Sequence, residues 1–521
     1  MSPLVRLSPA LPIGSPDMDT ETLVKPLDDA NLELLRHVHP AGWRNPDGKG
    51  VYDLIVVGAG PAGLVSAVGA VELGARVAII ERALMGGDCL NVGCVPSKGL
   101  LRAARLVGEA GKGDALGVPI EVAEIDFERV MRRMRRRRAD ISSNDSARRC
   151  ADLGIDVFFG DAQFTGLGEV AVKGQRLQFR RAVITTGTRP AAPPIPGLAD
   201  TPYLTNETLF WITERPSQLL VVGGGAIGCE MAQAFARLGS EVILFDMSPQ
   251  LLPREGRDAA EVVARQLGRD GVRIELGVRV QRVGKTANGI ELEFERDSTL
   301  GRVVGDHLFV AAGRAPNVET LNLEAAGVGY GEEGIVVDDR LRTSNRRIYA
   351  AGDVCSPFKF THAADAMARI VIQNALFFGR RKVSALVIPW CTYTDPEIAH
   401  VGLCEQETRE QGRQIETLTI PLTDVDRAVL DEETDGFIRV HHDRGKLLGC
   451  TIVASHASEI IGEASYIITH SGTLDDLSAT IHPYPTQAEA LRKAADAYRR
   501  ALLTPAVRVW FERYFKWTRS W

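Results

Sequence analysis

The chain has 521 residues, 45% of them apolar and 25% charged, values that allow several cores and exclude a disordered protein. A formal charge of -6 lacks the overall electrostatics of a nucleic-acid binder, so no nucleic-acid partner is expected. Eight cysteines are too few for a disulfide-stapled secreted scaffold, so any pair that matters should be catalytic or metal-binding.

Residues 1–50 read as an extension, Pro-rich and broken by charge, without a continuous signal-peptide core. No stretch reaches the ~18–20 apolar residues of a membrane span, and a cytoplasmic location is expected. A short helix is predicted over Asp28–Val38, with Leu32, Leu34 and Leu35, followed by a loop in HPAGWRNPDGKG. From Val51 the texture changes to apolar strand, glycine turn, Ala-rich helix and second apolar strand. Continuous apolar strands joined by a crossover helix predict a parallel sheet buried on both faces.

The glycine turn is Gly58-Ala59-Gly60-Pro61-Ala62-Gly63, and Glu81 closes the next strand 18 residues after Gly63. Gly58 permits the tight turn, Gly60 lets backbone approach a pyrophosphate, and Gly63 lets helix and strand pack closely. The helix N-terminus faces the anion, and the terminal acid can bind a ribose hydroxyl pair. Next comes GGDCLNVGCVPSK, where Cys89 and Cys94 precede a predicted helix. A helix N-terminus or nearby cation depresses a thiol pKa, and a close pair can cycle between dithiol and disulfide. Zinc is the rival reading, but it usually takes two such pairs and the other six cysteines are scattered singly.

An arginine-rich helix follows, with Arg132, Arg133 and Arg135–Arg138 expected to form a solvated face paired with acids, and then a strand over Gly154–Phe159. A second fingerprint begins at Leu219: Gly223, Gly225 and Gly228, with Asp246 ending its second strand. An Asp there favours a free 2′-hydroxyl and repels a 2′-phosphate, so NADH is expected over NADPH. VRIELGVRV and GIELEFER read as antiparallel accessory strands. Further strands are predicted near Gly436–His441 and Leu447–Ala454, with helices from near His456 and after Pro485. In the tail, Trp510, Tyr514, Trp517 and Trp521 alternate with Arg508, Arg513, Lys516 and Arg519. Such a helix either packs on the protein's own body or dimer, or makes a weak contact with a membrane surface.

With TTGTRP (185–190), AAGRAPN (311–317), YAAGDV (349–354) and TDPEIAHVG (394–402), residues 51–500 resemble the FAD-dependent pyridine nucleotide–disulfide oxidoreductases. Mercuric reductase and its relatives are the nearest branch, and dihydrolipoamide dehydrogenase the next. The resemblance implies an α/β fold with two Rossmann-like domains, for FAD and NAD(P), plus a C-terminal α+β dimerisation domain. The implied boundaries are 51–200 and 321–388 for FAD, 201–320 for NAD(P), 389–500 for dimerisation and 501–521 for the tail.

By the same resemblance, Gly58, Gly60, Gly63 and Glu81 would bind the FAD adenosine half, and Asp353 the ribityl chain. Gly160, Thr186 and Gly187 would approach FAD, and Lys98 would sit by the flavin with Glu230 as ionic partner. NAD(P)H would lie on Gly223, Gly225, Gly228 and Asp246, with Val280 and Gly313 as backbone neighbours. Cys94 would be the charge-transfer thiolate and Cys89 the interchange thiol. No resident metal is implied. The implied function is electron transfer from NAD(P)H to a thiol-reactive acceptor, in a homodimer.

The pattern departs at Ile481-His482-Pro483-Tyr484-Pro485-Thr486-Gln487-Ala488-Glu489. Disulfide-reducing relatives carry a catalytic His where Tyr484 stands, whereas Glu489 is retained. A tyrosine, with a reference pKa of ~10, is a poor proton shuttle at neutral pH. His482 either substitutes as base or is structural. Tyr484 and Asp88 match the mercuric branch, but no cysteine follows Cys450, no CxxC is seen in residues 1–50, and Asn144–Ser146 stand where that branch would place a metal-assisting tyrosine. A soft metal ion is the first expected acceptor, and lipoamide or a small disulfide the alternative. A flavin redox sensor or a membrane-docked binding protein is the reading from another class.

Overall fold

The computed structural model describes residues 23–404 and 415–521, so the Pro-rich residues 1–22 lie outside it. The described residues form two compact units: residues up to Pro249 with Asp270–Leu386, and Gln250–Arg269 with Val387–Trp521.

The first unit is organised on a seven-stranded sheet. Asp156–Phe159, Val77–Glu81, Val51–Val57 and Gln175–Ile184 lie side by side, with the hairpin strands Glu169–Val172 and Ala162–Gly166 beyond them. Ile348–Ala350 also pairs with Gln175–Ile184, in parallel. Because strand side chains alternate, one apolar sequence feeds two cores. Leu54, Val56 and Ile79 face the crossover helix Pro61–Glu72 and helix Thr361–Leu376. Ile55, Val57 and Ile80 face the other way, onto Phe164, Val170 and Leu321. This two-sided burial explains the continuous apolar runs.

The extension is not peripheral from Leu23 onward. Asp28 caps the helix Asp29–Val38 by accepting from the Asn31 amide at 2.9 Å. Leu34 and Val38 are wholly buried in the first core, each worth roughly 2 kcal/mol of apolar burial. Downstream, Trp43 donates to the Val157 carbonyl at 3.1 Å, while Asn45 makes two bonds with the Phe159 backbone. Those contacts cover the edge strand, whose open backbone groups would otherwise face water.

The arginine-rich helix, Phe127–Ser142, departs from its expected role. Arg135 and Arg138 are buried rather than solvated. Arg135 pairs with Asp28 at 2.6 Å, and Arg138 donates to Asn31 Oδ1 and the Asn91 carbonyl, both at 2.5 Å. An isolated guanidinium would not be tolerated there; the docked extension supplies Asp28 and Asn31 as acceptors beside the Asn91 carbonyl. Only Arg132, Arg133, Arg136 and Arg137 form the anticipated exposed face.

A second parallel sheet runs Val272–Leu276, Glu241–Asp246, Gln218–Val222, His307–Val310. VRIEL therefore belongs to a parallel sheet, not to the antiparallel one anticipated. The chain reaches it after the helix Arg257–Arg269, and a helical return delivers a parallel neighbour. The antiparallel sheet starts only at Arg279–Thr286 and continues through Gly289–Arg296 and Thr299–Gly305.

The second unit holds a five-stranded antiparallel sheet in the order Trp390–Thr392, Glu397–Gly402, Lys446–Ala454, Phe437–Asp443, Glu416–Pro421. Ile438, Val440 and Ile452 pack with Ala464, Leu491 and Ala494 of the helices Ala457–Thr469 and Glu489–Ala501. The predicted strands and helices thus form within a few residues of their expected places. A last helix, Pro505–Thr518, buries none of its residues, so this chain's body does not cover it.

Candidate active site

Each fingerprint is a backbone device held by its carboxylate. Gly58 has φ +101°, and a Cβ there would fall 2.6 Å from the Thr185 carbonyl oxygen; one on Gly63 would fall 1.9 Å from the Gly58 oxygen. The helix then starts at Gly60 with no side chain capping it, leaving its first amides open toward an anion. Glu81 Oε2 accepts from the Ala59 amide at 2.7 Å and Oε1 from the Ala83 amide at 2.8 Å. Burial raises its carboxyl pKa, against the pull of these amides.

A cleft beside this turn is lined by Gly58, Glu81, Gly160, Thr186 and Asn317. Thr186 donates to the Asn317 carbonyl at 2.7 Å, and Gly187 has φ +64°. Asp353 accepts from Thr188 at 3.3 Å, and burial raises its pKa. An uncapped helix start, an acid at the strand end and an open cleft fit a dinucleotide.

The second fingerprint repeats the geometry. Gly223 has φ +116°, with the Ala311 carbonyl oxygen 2.6 Å from a notional Cβ, and a Cβ on Gly228 would fall 1.8 Å from the Gly223 oxygen. Asp246 accepts from the Gly224 amide at 2.5 Å and the Ser248 amide at 2.7 Å. A Cβ on Gly225 would meet nothing within 4 Å, so the helix start again opens on free space. Gly313 accepts from the Ala191 amide at 3.0 Å, and Val280 sits beside an irregularity in its strand pairing.

The two cysteines follow the first fingerprint in the chain. Cys89 lies in the helix Gly87–Asn91 and Cys94 opens Cys94–Gly111; both are free thiols. The Cys94 thiol is lowered to about 6, first by the Cys89 hydrogen bond, then by the Thr361 hydroxyl and the Lys98 charge. Donating that bond, together with burial, pushes Cys89 well up. The shared hydrogen bond thus favours the negative charge on Cys94 and the proton on Cys89. Thr361 Oγ1 stands 3.6 Å from Cys94 Sγ, and Lys98, one turn beyond Cys94, meets Glu230 at 2.9 Å. Asp88 pairs with Arg314, which also donates to Thr188 Oγ1 at 2.7 Å.

The extension steadies this loop. Met85 N–H donates to the Val38 carbonyl at 3.0 Å, and Arg138 holds the carbonyl of Asn91, two residues after Cys89.

His482, Tyr484 and Glu489 belong to the second unit. His482 is buried, with Nε2 3.0 Å from Glu463 and Nδ1 3.2 Å from the Thr480 carbonyl. Both ring nitrogens thus face acceptor oxygens. Tyr484 is exposed and donates to Asp426 at 2.8 Å, a bond that raises its phenol pKa. Glu489 is buried, with one oxygen 3.2 Å from Arg492 and the other without a hydrogen-bond partner.

Residue patterns alone missed Thr361, Arg314 and Asn317 as contributors. Arg314 and Asn317 lie inside the quoted AAGRAPN, so their segment was signalled; Thr361 carries no local signature that sets it apart from any helix-starting threonine.

The described geometry matches known proteins. The family model "Pyridine nucleotide-disulphide oxidoreductase" covers residues 52–368, and its dimerisation domain covers 388–495. A mercuric reductase of Lysinibacillus sphaericus is 34% identical across 92% of this chain and 89% of its own length. A dihydrolipoyl dehydrogenase of Thermus scotoductus is 33% identical across 86% and 98%. Among solved structures, the HOCl-induced flavoprotein disulfide reductase RclA of Escherichia coli superposes with TM-score 0.77 at 30% identity, over 85% of this chain and 99% of that one. RclA is also solved as a Cu(II) complex.

Proposed function

The chain belongs to the pyridine nucleotide–disulphide oxidoreductases, which use FAD and NAD(P)H, and from that premise we propose a mercuric reductase-like activity that passes two electrons through Cys89 and Cys94 to a soft metal ion. The observation that carries this reading is Tyr484. The position where disulfide reductases keep a catalytic His holds a phenol, and Asp426 keeps that phenol protonated. Reduction of a disulfide follows NAD(P)H + H⁺ + RSSR → NAD(P)⁺ + 2 RSH, and its leaving thiolate needs an acid that can be recharged. Reduction of a metal ion follows NAD(P)H + Hg²⁺ → NAD(P)⁺ + Hg⁰ + H⁺, and it releases a proton instead. A tyrosine suits the second balance and hampers the first.

Bound FAD supplies the two-electron relay between the nicotinamide and the dithiol. Glu81, the Gly58–Gly63 turn, Asp353, Gly160, Thr186 and Gly187 hold it, while Lys98, fixed by Glu230, places a positive charge near the thiols. Asp246 favours NADH, because its carboxylate would repel a 2′-phosphate. The Cys94 thiolate is ready to bind a soft cation, and Cys89 joins it once deprotonated. The likeness to mercuric reductases and to a reductase solved with Cu(II) supports the metal class. The dimerisation domain supports a homodimer. Among the described residues, no helix is long and apolar enough to cross a membrane.

A second reading, reduction of lipoamide or a small disulfide, rests on the dihydrolipoyl dehydrogenase likeness and the retained Glu489. It requires His482 to leave Glu463. Following NADH oxidation with Hg(II), Cu(II), lipoamide and glutathione disulfide, together with proton balance, separates the two. Metal-dependent turnover with proton release is expected. Turnover confined to disulfides, with proton uptake, would overturn the metal reading.

A further inference from the structure

The helix Pro505–Thr518 takes no part in the chemistry above. Thr504 caps it by accepting from the Val507 amide at 3.4 Å, and Pro505 occupies its first turn, so it is a well-started helix. At about 100° per residue, Ala506, Val507, Trp510, Phe511, Tyr514, Phe515 and Trp517 share one half of its circumference. Arg508, Glu512, Arg513 and Lys516 share the other, together with Arg519 beyond the end; Pro505 and Val509 are the apolar residues among them.

The apolar half is uncovered: Trp510 is 61% exposed, Phe515 54% and Trp517 59%. Trp510 stacks on Tyr514 at 5.9 Å and Phe511 on Phe515 at 6.3 Å, forming an aromatic ridge. An apolar patch of this size in water marks a surface built for a cover.

We propose that this helix is an interfacial anchor that lays the protein on an anionic lipid surface. Two observations select lipid over protein. The ridge is made of Trp, Tyr and Phe rather than Leu and Ile, the ring types that settle at the headgroup boundary. Residues 504–521 also carry four basic side chains against one acid, in a chain whose formal charge is -6. A cationic strip on an acidic protein is drawn to anionic headgroups, whereas two copies laid ridge to ridge would bring like charges together.

The test is sedimentation of the full-length holoenzyme with vesicles. Phosphatidylcholine vesicles holding roughly 30% phosphatidylglycerol should retain at least ~10-fold more protein than phosphatidylcholine alone, and about 0.5 M salt should release it. Each of R508Q and K516Q should weaken binding roughly fivefold. W510S combined with W517S should abolish it, with NADH oxidation in solution unchanged. Three of the six tryptophans lie in this segment, so binding should also shift the intrinsic emission to the blue. Equal retention on both vesicle types, or equal retention after deletion of residues 504–521, would overturn the proposal. So would a dimer that falls apart in the W510S/W517S protein, because the ridge would then be covering a second copy.

Discussion

The two fingerprints repeat the same turn and the same acid-to-amide contacts, yet they are read as sites for different nucleotides. In both, a positive-φ glycine turns under a carbonyl, the third glycine packs against the first, and an acid ties two backbone amides. The difference lies around them. Glu81 is buried and opens on a cleft that reaches Gly160 and Thr186, whereas Asp246 is only half-buried. On the proposed reading the turn would meet a pyrophosphate, and the acid with its surroundings would select the nucleotide that carries it.

The same substitution made in each turn should break the equivalence most sharply. Gly63→Val would drive a side chain into the Gly58 carbonyl, and we predict purified protein with at least ~100-fold less flavin and no turnover with any acceptor, read by absorbance and NADH oxidation. Gly228→Val, against the Gly223 carbonyl, should keep the flavin and lose roughly 100-fold in kcat/KM for NADH, read by steady-state kinetics. Normal flavin with Gly63→Val would show that the first turn is not the flavin site.

Asp246→Asn sharpens the comparison at the acid. It should raise NADPH use relative to NADH by about 10-fold, because one like charge is removed from beside the 2′-phosphate. An unchanged ratio would mean that Asp246 serves only to hold the turn. The smallest effect concerns the thiols that serve both nucleotides. In reduced protein the Cys94 thiolate is expected above pH about 6 and lost as pH falls through that value, since its pKa is lowered. Ultraviolet thiolate absorbance should show that step, and Cys94→Ser should remove it.

Sequence legibility followed locality. Gly58, Gly63, Glu81 and the cysteine pair sit within 37 residues of one another, at spacings set by strand rise and helix pitch, so their geometry was readable along the chain. The VRIEL strand was misread because its direction depends on the helix before it, and strand periodicity is the same in parallel and antiparallel sheets. Arg135 and Arg138 were misread because a charge run gives no sign of which members will be buried. That depends on Asp28 and Asn31, about a hundred residues away.

Residue order alone determined the two nucleotide turns, the redox pair, the acid closing each second strand and the departure at Tyr484. Each depends on neighbours a few bonds or one helical turn apart. Tertiary structure decided what depends on distant partners. Thr361 and Lys98 help lower the Cys94 thiol, Glu463 occupies His482, Asp426 restrains Tyr484, and the extension buries two arginines behind the Cys89 loop. Charge and burial act through space, so a one-dimensional pattern can name such residues but cannot assign their protonation, their partners or their exposure.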